Sequence, residues 1–357
     1  MKREIGSSFY KLKSEDKEYK ALADNKIELE DHYTLYCSGR SAFLAILEEI
    51  HRSKDVKHIW IPEYYCHNVT GFLERNYDTI KYYYINPFEY QTKFNFQDFA
   101  KKGDVIVLNN YWGLFNYDYD PQNQDRPIII EDHSHGWLTQ QCLNSQADYC
   151  LASVRKSYPV SGGGVAWRPG SMLEEPYYET KADEAIEDAH IILSQSINKK
   201  RSFLKDDKGD KKSYLNLLSA GEAQITESNS YVRPNPELYE ALEHYISLDI
   251  NVVKSENLQT VLELIKPSSH FQIVNREGYM PFGLLLLFKD EASFKDFKTF
   301  CIQKNIYPAN LWPDNDLRSE WKYFFNIHID FRYDDEDMRY LAHCVNEWSE
   351  TQVLSTI

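Results

Sequence analysis

The chain has 357 residues, of which 42% are hydrophobic and 15% aromatic, and its formal net charge at pH 7 is −15. This composition supplies a full hydrophobic core and is unlike that of a disordered protein. The acidic charge argues against nucleic acid or an anionic membrane as the main partner, so an anionic ligand would need backbone amides and a few local cations. A chain of this length is expected to form one large domain and a smaller one.

The cysteines are scattered and include no CxxC pair: Cys37, Cys66, Cys142, Cys150, Cys301 and Cys344. In a chain this long, such spacing favours reduced thiols over a disulfide framework or a zinc site. The N-terminal stretch MKREIGSSFYKLKSEDKEY lacks the apolar segment of a signal peptide, and no apolar run approaches the length of a membrane span. We therefore expect a soluble, cytoplasmic protein.

Short β-rich runs follow one another between about residues 34 and 167: YTLYC, HIWIP, IKYYYI, DVIVLNNY, PIIIED, DYCLAS and GGVAW. They alternate with helix-like or loop segments. The first of these, SGRSAFLAILEEIHRS, carries apolar residues at helical spacing after a Ser-Gly start. Strands that alternate with helices favour right-handed crossovers and a mainly parallel sheet covered on both faces. The predicted fold class is α/β.

Residues 181–245 are charged and helical in period, with a Lys/Asp/Gly stretch over residues 201–212 that we interpret as a solvated loop. Beyond them, the runs HFQIVN, FGLLLLF and NIHIDF and two helical patterns indicate a compact α+β unit. We place the change of domain near residue 240. The prediction is a large domain over residues 1–240 and a small C-terminal α+β domain over residues 241–357.

Ligands of open parallel sheets bind beyond the carboxyl ends of the strands. Residues 38–41, 131–135 and 153–156 each follow a β-run directly. In such a position the amine of Lys156 can form a Schiff base with an aldehyde if partly apolar surroundings lower its pKa, although a surface lysine is the usual case. The triple glycine at residues 162–164 would allow the close approach of another group and a tight turn.

Two further segments suit a cofactor with a ring nitrogen and a phosphate. Asp132 ends the run PIIIED, where its carboxylate could hold a pyridinium nitrogen protonated, or could simply cap a turn or helix. The segment Ser-Gly-Arg-Ser at residues 38–41 opens a helix straight after a strand. The N–H groups and dipole of that helix start can bind phosphate, and an ordinary N-cap fits the same motif equally well.

His133 and His135, in the run EDHSH, permit two other interpretations. A His-x-His pair supplies two metal ligands, but the spacing identifies no third, so we predict no metal site. A hydrolase triad could combine Asp132 with one of these histidines and Ser153, although the G-x-S-x-G motif is missing around that serine.

The order of these features resembles the DegT/DnrJ/EryC1/StrS family. The resemblance rests on a Ser-Gly-x-Ser-Ala helix start, then IPEYYCHNV, IIIEDHSH, SVRK with GGGVAW, and the closing pattern NIHIDFRYDDEDMRYLAHCV, so it runs through most of the chain. It implies a homodimeric pyridoxal-phosphate (PLP) enzyme of fold type I. Most members are aminotransferases that act on nucleotide-linked keto sugars, with an amino acid such as glutamate as the amino donor.

The resemblance also implies roles for single residues. Lys156 would be the Schiff-base lysine, and Asp132 would hold the pyridine nitrogen. His135 stands three residues after Asp132, where the family usually has Gln beside the 3′-oxygen of the cofactor. The contacts with the phosphate would come from the backbone N–H groups of Gly39 and Arg40 and from the Ser153 hydroxyl.

Three features depart from the family pattern. Ser153 lies three residues before Lys156 rather than the usual five. The usual ring-stacking aromatic falls near Cys66; Tyr65, His67 or Trp112 could substitute for it, and we favour Tyr65. The segment G-x-N-x-R, whose asparagine reaches the phosphate of a neighbouring subunit, is missing, and SINKKRSF stands in roughly that place. The chain therefore resembles a divergent branch.

In the implied reaction, Lys156 transfers the α-proton of the substrate while Asp132 keeps the ring nitrogen protonated. Two alternatives share the fold: a PLP-dependent lyase or dehydratase, and a non-catalytic relative that acts as a binding partner. The lysine counts against those dehydratases in which histidine replaces it. Some aromatic residues could stack a sugar or a base, or could equally belong to the core or a subunit interface: Tyr111, Trp112, Trp137 and Trp312.

Overall fold

The computed structural model describes residues 3–6, 8–30, 32–91, 94–174, 183–227, 233–313 and 316–355. Its strands are β1 (Ile5–Gly6), β2 (Thr34–Tyr36), β3 (Ile59–Pro62), β4 (Ile80–Tyr83), β5 (Val105–Asn109), β6 (Ile128–Asp132), β7 (Tyr149–Ala152), β8 (Gly164–Trp167), β9 (Gln272–Val274), β10 (Leu284–Phe288), β11 (Ile306–Tyr307) and β12 (Tyr323–Ile327). Its helices are α1 (Lys17–Ala23), α2 (Gly39–Ser53), α3 (His67–Asn76), α4 (Gln140–Leu143), α5 (Glu184–Lys205), α6 (Lys211–Glu227), α7 (Pro236–Tyr245), α8 (Asn251–Leu264), α9 (Glu291–Gln303) and α10 (Asp335–Ser355). Among these described helices, none is long and apolar enough to cross a membrane.

The large sheet has seven strands in the order β2-β8-β7-β6-β5-β3-β4. Each of them lies within one of the β-rich runs of the sequence. Strands β4, β3, β5, β6 and β7 are parallel to their neighbours, whereas β8 runs antiparallel to both β7 and β2. The predicted mainly parallel α/β sheet is therefore confirmed, and its carboxyl edge is the edge at which a ligand site is expected.

The two faces of this sheet carry different parts of the core. Side chains alternate between the faces along each strand. Ile130 and Leu151 lie in a buried cluster with the apolar residues of α2 and α3, whereas Ile129 and Cys150 belong to a second cluster. The strand alternation thus assigns Asp132 to the α2/α3 face and Glu131 to the opposite face.

Helix α2 starts where the sequence predicts. The Ser38 side chain accepts a hydrogen bond from the backbone N–H of Ser41 at 3.1 Å, as an N-cap does. The apolar residues that follow are buried from Ala42 to Leu47. This cap and this buried face fix the first turn of α2 directly beyond the end of β2.

The C-terminal part forms an antiparallel sheet of order β12-β10-β9, packed with α8, α9 and α10 around its own buried cluster. The start of the chain joins this unit, because Ile5 in β1 pairs in parallel register with Ile306 in β11 and lies in the same cluster. The α+β character expected for this part is therefore present in the structure. The division at residue 240 stays a prediction.

The predicted loop over residues 201–212 is wrong for most of its length. Helix α5 continues to Lys205 and α6 begins at Lys211. The helix persists because its charged side chains have partners on the N-terminal segment: the buried ammonium of Lys200 lies 2.8 Å from Glu4, and Arg201 pairs with Asp16. Sequence periodicity carries no information about such distant counter-charges.

Candidate active site

A pocket lies beyond the carboxyl ends of β6 and β7, between the first turns of α2 and α3 and the side of α6. It is lined by six of the seven residues predicted from the sequence: Gly39, Arg40, Tyr65, Asp132, Ser153 and Lys156. The seventh, His135, lies behind this lining and contacts Lys156. The structure thus brings together residues that are up to 117 positions apart, the difference between 39 and 156.

Lys156 ends a short 3₁₀ turn, Val154–Lys156, that follows β7. Its Nζ atom lies 3.2 Å from Nε2 of His135 and 5.6 Å from the centre of the Trp312 ring. Burial lowers the pKa of Lys156 below the ordinary lysine value, and the Asp132 carboxylate opposes this effect only in part. The amine therefore loses its proton at a lower pH than an exposed lysine does.

Asp132 is held by two donors. Its Oδ1 accepts the backbone N–H of Ser134 at 2.8 Å, and its Oδ2 accepts the Tyr65 hydroxyl at 2.5 Å. Burial, reinforced by this carboxylate, raises the pKa of Tyr65 well above its ordinary value, so the phenol stays protonated and donates. Tyr65 therefore orients Asp132, a contact that sequence reasoning did not foresee. Its predicted role as the ring-stacking aromatic stays a prediction.

His135 sits among aromatic rings. Its ring is nearly parallel to Trp112 at 4.9 Å between centres, and Phe282 and Trp312 lie at 4.8 and 5.0 Å. Burial lowers the pKa of His135 well below the ordinary histidine value, and the charge of Lys156 adds to this effect. His135 is therefore a neutral imidazole beside the lysine amine.

The start of α2 lies against Ser153. A Cβ atom added at Gly39 would stand 2.7 Å from Cβ of Ser153, closer than side chains tolerate, so only glycine fits there. The backbone N–H of Ser153 donates to Oγ of Ser134 at 2.8 Å, which ties the ends of β6 and β7 together. The positive end of the α2 dipole and the Ser153 side chain thus face one pocket.

Arg40 lines the pocket, and its side chain is anchored toward α6. The guanidinium donates to the backbone carbonyl of Ile225 and lies over the Phe72 ring at 5.4 Å. Burial lowers the pKa of Arg40 from its high ordinary value, which leaves it charged at neutral pH. The predicted contribution of Arg40 to a phosphate site is that of its backbone N–H group, which this arrangement does not test.

The triple glycine brings β8 against the start of α2. A Cβ atom at Gly164 would lie 2.0 Å from the carbonyl oxygen of Ser38, and Gly163 has a φ of 127° that side chains disfavour. The expected close approach is therefore present, and its partner is backbone of the capping turn. The glycines position α2, since none of them is among the residues that line the pocket.

Glu131 and His133 face the other side of the sheet and form a closed network. Nε2 of His133 lies 3.0 Å from Glu131, which also accepts the hydroxyls of Ser145 at 2.7 Å and Tyr119 at 3.0 Å. Burial alone would raise the pKa of Glu131, but these hydrogen bonds hold it below the ordinary value. The carboxylate is thus ionised, with its charge satisfied by protein donors.

The same network bears on the interpretation of EDHSH as a metal site. Glu131, His133 and Cys150 are near enough to one another for one ion. However, the oxygen of the Asn110 side chain accepts the backbone N–H of Phe115, so its amide nitrogen is the group that lies 3.3 Å from Nδ1 of His133 and donates to it. Because Nδ1 accepts this hydrogen bond, the proton of the neutral ring lies on Nε2, toward Glu131. A metal would need that nitrogen unprotonated.

The triad interpretation fails on contacts. His133 bonds with Glu131 on the far face of the sheet, and His135 bonds with Lys156. Neither histidine has a hydrogen bond with Ser153 among the contacts of the described residues. Asp132 is bound instead by Ser134 and Tyr65, so no relay of three side chains exists here.

Sequence reasoning missed several residues that line the pocket, among them Arg155 and Glu222. Arg155 directly precedes Lys156, so its position beside the lysine offered a signal. Glu222 comes from α6, 67 residues further along the chain, and no local pattern points to it. Trp312 was considered only as one aromatic among four.

The architecture is that of fold type I transferases, which confirms the predicted fold class. Neither a protein-family model nor a curated protein sequence matches this chain. Similar solved structures include PseC of Helicobacter pylori, an aminotransferase involved in the biosynthesis of pseudoaminic acid. It matches with TM-score 0.59 and 13% identity, and the match covers 98% of this chain and 100% of that chain. The sugar aminotransferase CalS13 of Micromonospora echinospora matches with TM-score 0.58 and 12% identity over 96% and 99% of the two chains. A candidate sugar aminotransferase of Streptococcus pneumoniae, Spr1654 in its PLP form, matches with TM-score 0.56 and 11% identity over 98% and 99%.

Proposed function

We propose that this protein is a PLP-dependent aminotransferase of the DegT/DnrJ/EryC1/StrS type, which moves an amino group from an amino acid such as glutamate to a keto sugar. The observation that carries the proposal is the joint position of Lys156 and Asp132. Both line one pocket beyond the carboxyl ends of adjacent parallel strands, with the first turn of α2 as another wall. The fold around them is shared with several aminotransferases.

The residues of this pocket suit the three reactive parts of pyridoxal phosphate. The amine of Lys156 suits the aldehyde, the oriented carboxylate of Asp132 suits the ring nitrogen, and the helix start at Gly39 with Ser153 suits the phosphate. The missing Cβ of Gly39 is part of this fit, because any side chain there would collide with Ser153.

When bound, the cofactor would supply an electron sink for the negative charge that forms as the substrate loses its α-proton. Lys156 would move that proton, since burial favours its neutral, basic form. His135, itself neutral, would accept a hydrogen bond from the lysine and hold it in place. Asp132 would face the ring nitrogen, with its two oxygens held in place by Tyr65 and Ser134.

The finer parts of the proposal concern the acceptor and the assembly. A keto sugar is supported by the solved structures that are named sugar aminotransferases, and the Trp312 ring beside Lys156 offers a face for a sugar. A homodimer rests on the resemblance to the family. A reducing, cytoplasmic compartment is supported by the cysteines, which the structure describes as thiols rather than disulfides.

The test starts with the absorbance spectrum of the purified protein after addition of pyridoxal phosphate. We expect a visible band of the bound cofactor, and borohydride should fix the pyridoxyl group on Lys156, as located by mass spectrometry. Lys156→Ala should abolish the fixation. Lys254→Met is the matched control, because Lys254 is also buried and its pKa is lowered to about 8, yet it is not among the residues of the pocket.

Amino donors, beginning with glutamate, are then tested for conversion of the band to the aminated form of the cofactor, followed by keto-sugar acceptors. Conversion and its reversal by an acceptor support the aminotransferase. A stable band that no donor converts would overturn the aminotransferase in favour of a lyase or a binding role. Fixation that persists in Lys156→Ala would overturn the assignment of the lysine.

A further inference from the structure

An ion pair between Arg155 and Glu222 forms part of the wall of the pocket. Two guanidinium nitrogens of Arg155 donate to the two carboxylate oxygens of Glu222, one of them at 2.8 Å. Both residues line the pocket together with Asp132 and Lys156. Their side chains are 27% and 38% exposed, so the pair is within reach of solvent and of a ligand that enters.

The cations that line the described part of the pocket are Arg40, Arg155 and Lys156. Lys156 contacts His135 and has the proposed chemical role. The guanidinium of Arg40 is held by the carbonyl of Ile225 and the ring of Phe72. Arg155 differs from both, because the contact that holds its guanidinium is a carboxylate from another helix.

A guanidinium presents its N–H groups as a planar fork that matches the oxygens of a carboxylate or a phosphate. A ligand oxyanion can therefore take the two donors that Glu222 now uses. The Glu222 carboxylate and the ligand oxyanion would repel each other if both lay on the same side of Arg155. The Glu222 side chain is 38% exposed, and an ion pair that water reaches contributes little free energy, so a ligand oxyanion can compete with it for Arg155.

We propose that Arg155 binds the phosphate group of the ligand and that Glu222 competes with it, so that this pair sets how strongly the pocket prefers a phosphorylated ligand. The inference deepens the proposed function and rests on it in one respect, the identification of the ligand as pyridoxal phosphate. The carboxylate of an amino donor has the same oxyanion chemistry. The experiment therefore distinguishes the phosphate of pyridoxal phosphate from the carboxylate of an amino donor.

Dissociation constants are measured at fixed ionic strength for pyridoxal phosphate, for pyridoxal without its phosphate, and for inorganic phosphate as a competitor. Glu222→Gln should bind pyridoxal phosphate about threefold more tightly, since it removes the competitor from a partly exposed pair. Arg155→Gln should bind it about ten- to a hundredfold more weakly, because a charge-assisted hydrogen bond is lost. The affinity for pyridoxal should change less than that for pyridoxal phosphate in both variants, because the two charges act on pyridoxal only through the titration of Lys156.

Glu187→Gln is the matched control, because it removes the same charge from an exposed position on the neighbouring helix α5. It should leave all three dissociation constants unchanged. Arg155→Lys, which keeps the charge but not the fork, should fall between the wild type and Arg155→Gln. This variant and a thermal unfolding curve separate a binding effect from a folding defect.

Weaker binding of pyridoxal phosphate in Glu222→Gln would overturn the competition and make Glu222 a support for Arg155. Unchanged binding of pyridoxal phosphate in both variants would overturn the role of Arg155 in phosphate binding. A shifted dissociation constant for glutamate, measured in the same way, would then assign the pair to the carboxylate of the amino donor. If the wild type shows no cofactor band but binds inorganic phosphate, and Arg155→Gln and Glu222→Gln shift that binding in opposite directions, the proposed function fails while the role of the pair stands.

Discussion

The two faces of strand β6 each carry a buried carboxylate, but the surroundings of the two carboxylates differ. Asp132 faces the pocket, where its carboxylate is oriented by Tyr65 and Ser134 beside the amine of Lys156. Glu131, the preceding residue, faces the other side and is enclosed by His133, Ser145 and Tyr119. The difference shows that burial and charge at a strand end do not identify a functional group.

The distinction comes from what surrounds each carboxylate. The pocket face is bordered by two helix starts and by the cations Arg155 and Lys156, which a ligand can reach. On the opposite face, protein donors satisfy Glu131, and the Asn110 amide fixes the tautomer of His133. The ligand that we propose would bind on the first face, whereas the network on the other face stabilises the fold.

The largest expected effect is on activity, from Asp132→Asn. This change keeps the shape of the side chain but removes the charge meant for the ring nitrogen. We expect kcat to fall about a hundred- to a thousandfold, with a loss of about 1–2 kcal/mol in the free energy of unfolding because Tyr65 and Ser134 lose a charged acceptor. Steady-state kinetics and chemical denaturation measure the two quantities. Full activity in this variant would contradict the role of Asp132.

The same kind of replacement one residue earlier should lower stability and leave activity nearly unchanged. Glu131→Gln leaves its donors without a charged acceptor inside the protein, so we expect a loss of about 2 kcal/mol in the free energy of unfolding. Activity should stay within about threefold of the wild type, because the side chain faces away from the pocket. A large loss of activity at unchanged stability would show that the two faces are not separate.

The pH dependence of stability sharpens this contrast. The folded-state pKa of Glu131 lies below its ordinary value of 4.5, so its contribution to stability is fully present above that value and is lost as the pH falls through the folded-state pKa. The stability difference between the wild type and Glu131→Gln should therefore be greatest above pH 4.5 and shrink in more acidic buffer. Denaturation curves across this range check it, and a difference that grows on acidification would have the wrong sign.

The smallest effect concerns the titration of Lys156. Burial lowers its pKa, whereas the carboxylates of Asp132 and Glu222 raise it. Removing either charge, in Asp132→Asn or Glu222→Gln, should lower the pKa of the lysine further. The pH dependence of reductive methylation at Lys156, followed by mass spectrometry without cofactor, measures this shift. A shift to higher pH in both variants would contradict the electrostatic picture of the pocket.

Local sequence patterns were sufficient for the secondary structure that positions the site. The β-rich runs that end at Asp132 and at Ser153 contain the strands β6 and β7, and the Ser-Gly start at residue 38 caps α2 as predicted. Alternation and capping are properties of a few consecutive residues, so they can be read without the fold. The rule that ligands bind beyond the carboxyl ends of strands then placed Lys156 and Asp132 at one edge.

The sequence by itself therefore determined the strands, the capped helix and the residues at the strand ends. Only the tertiary structure decided which polar groups meet. Tyr65 on Asp132, Glu222 on Arg155 and Glu4 on Lys200 each join segments that are far apart in the chain. Such contacts depend on how whole helices and strands pack against one another, and the periodicity of a single element does not predict which residues of another element it contacts.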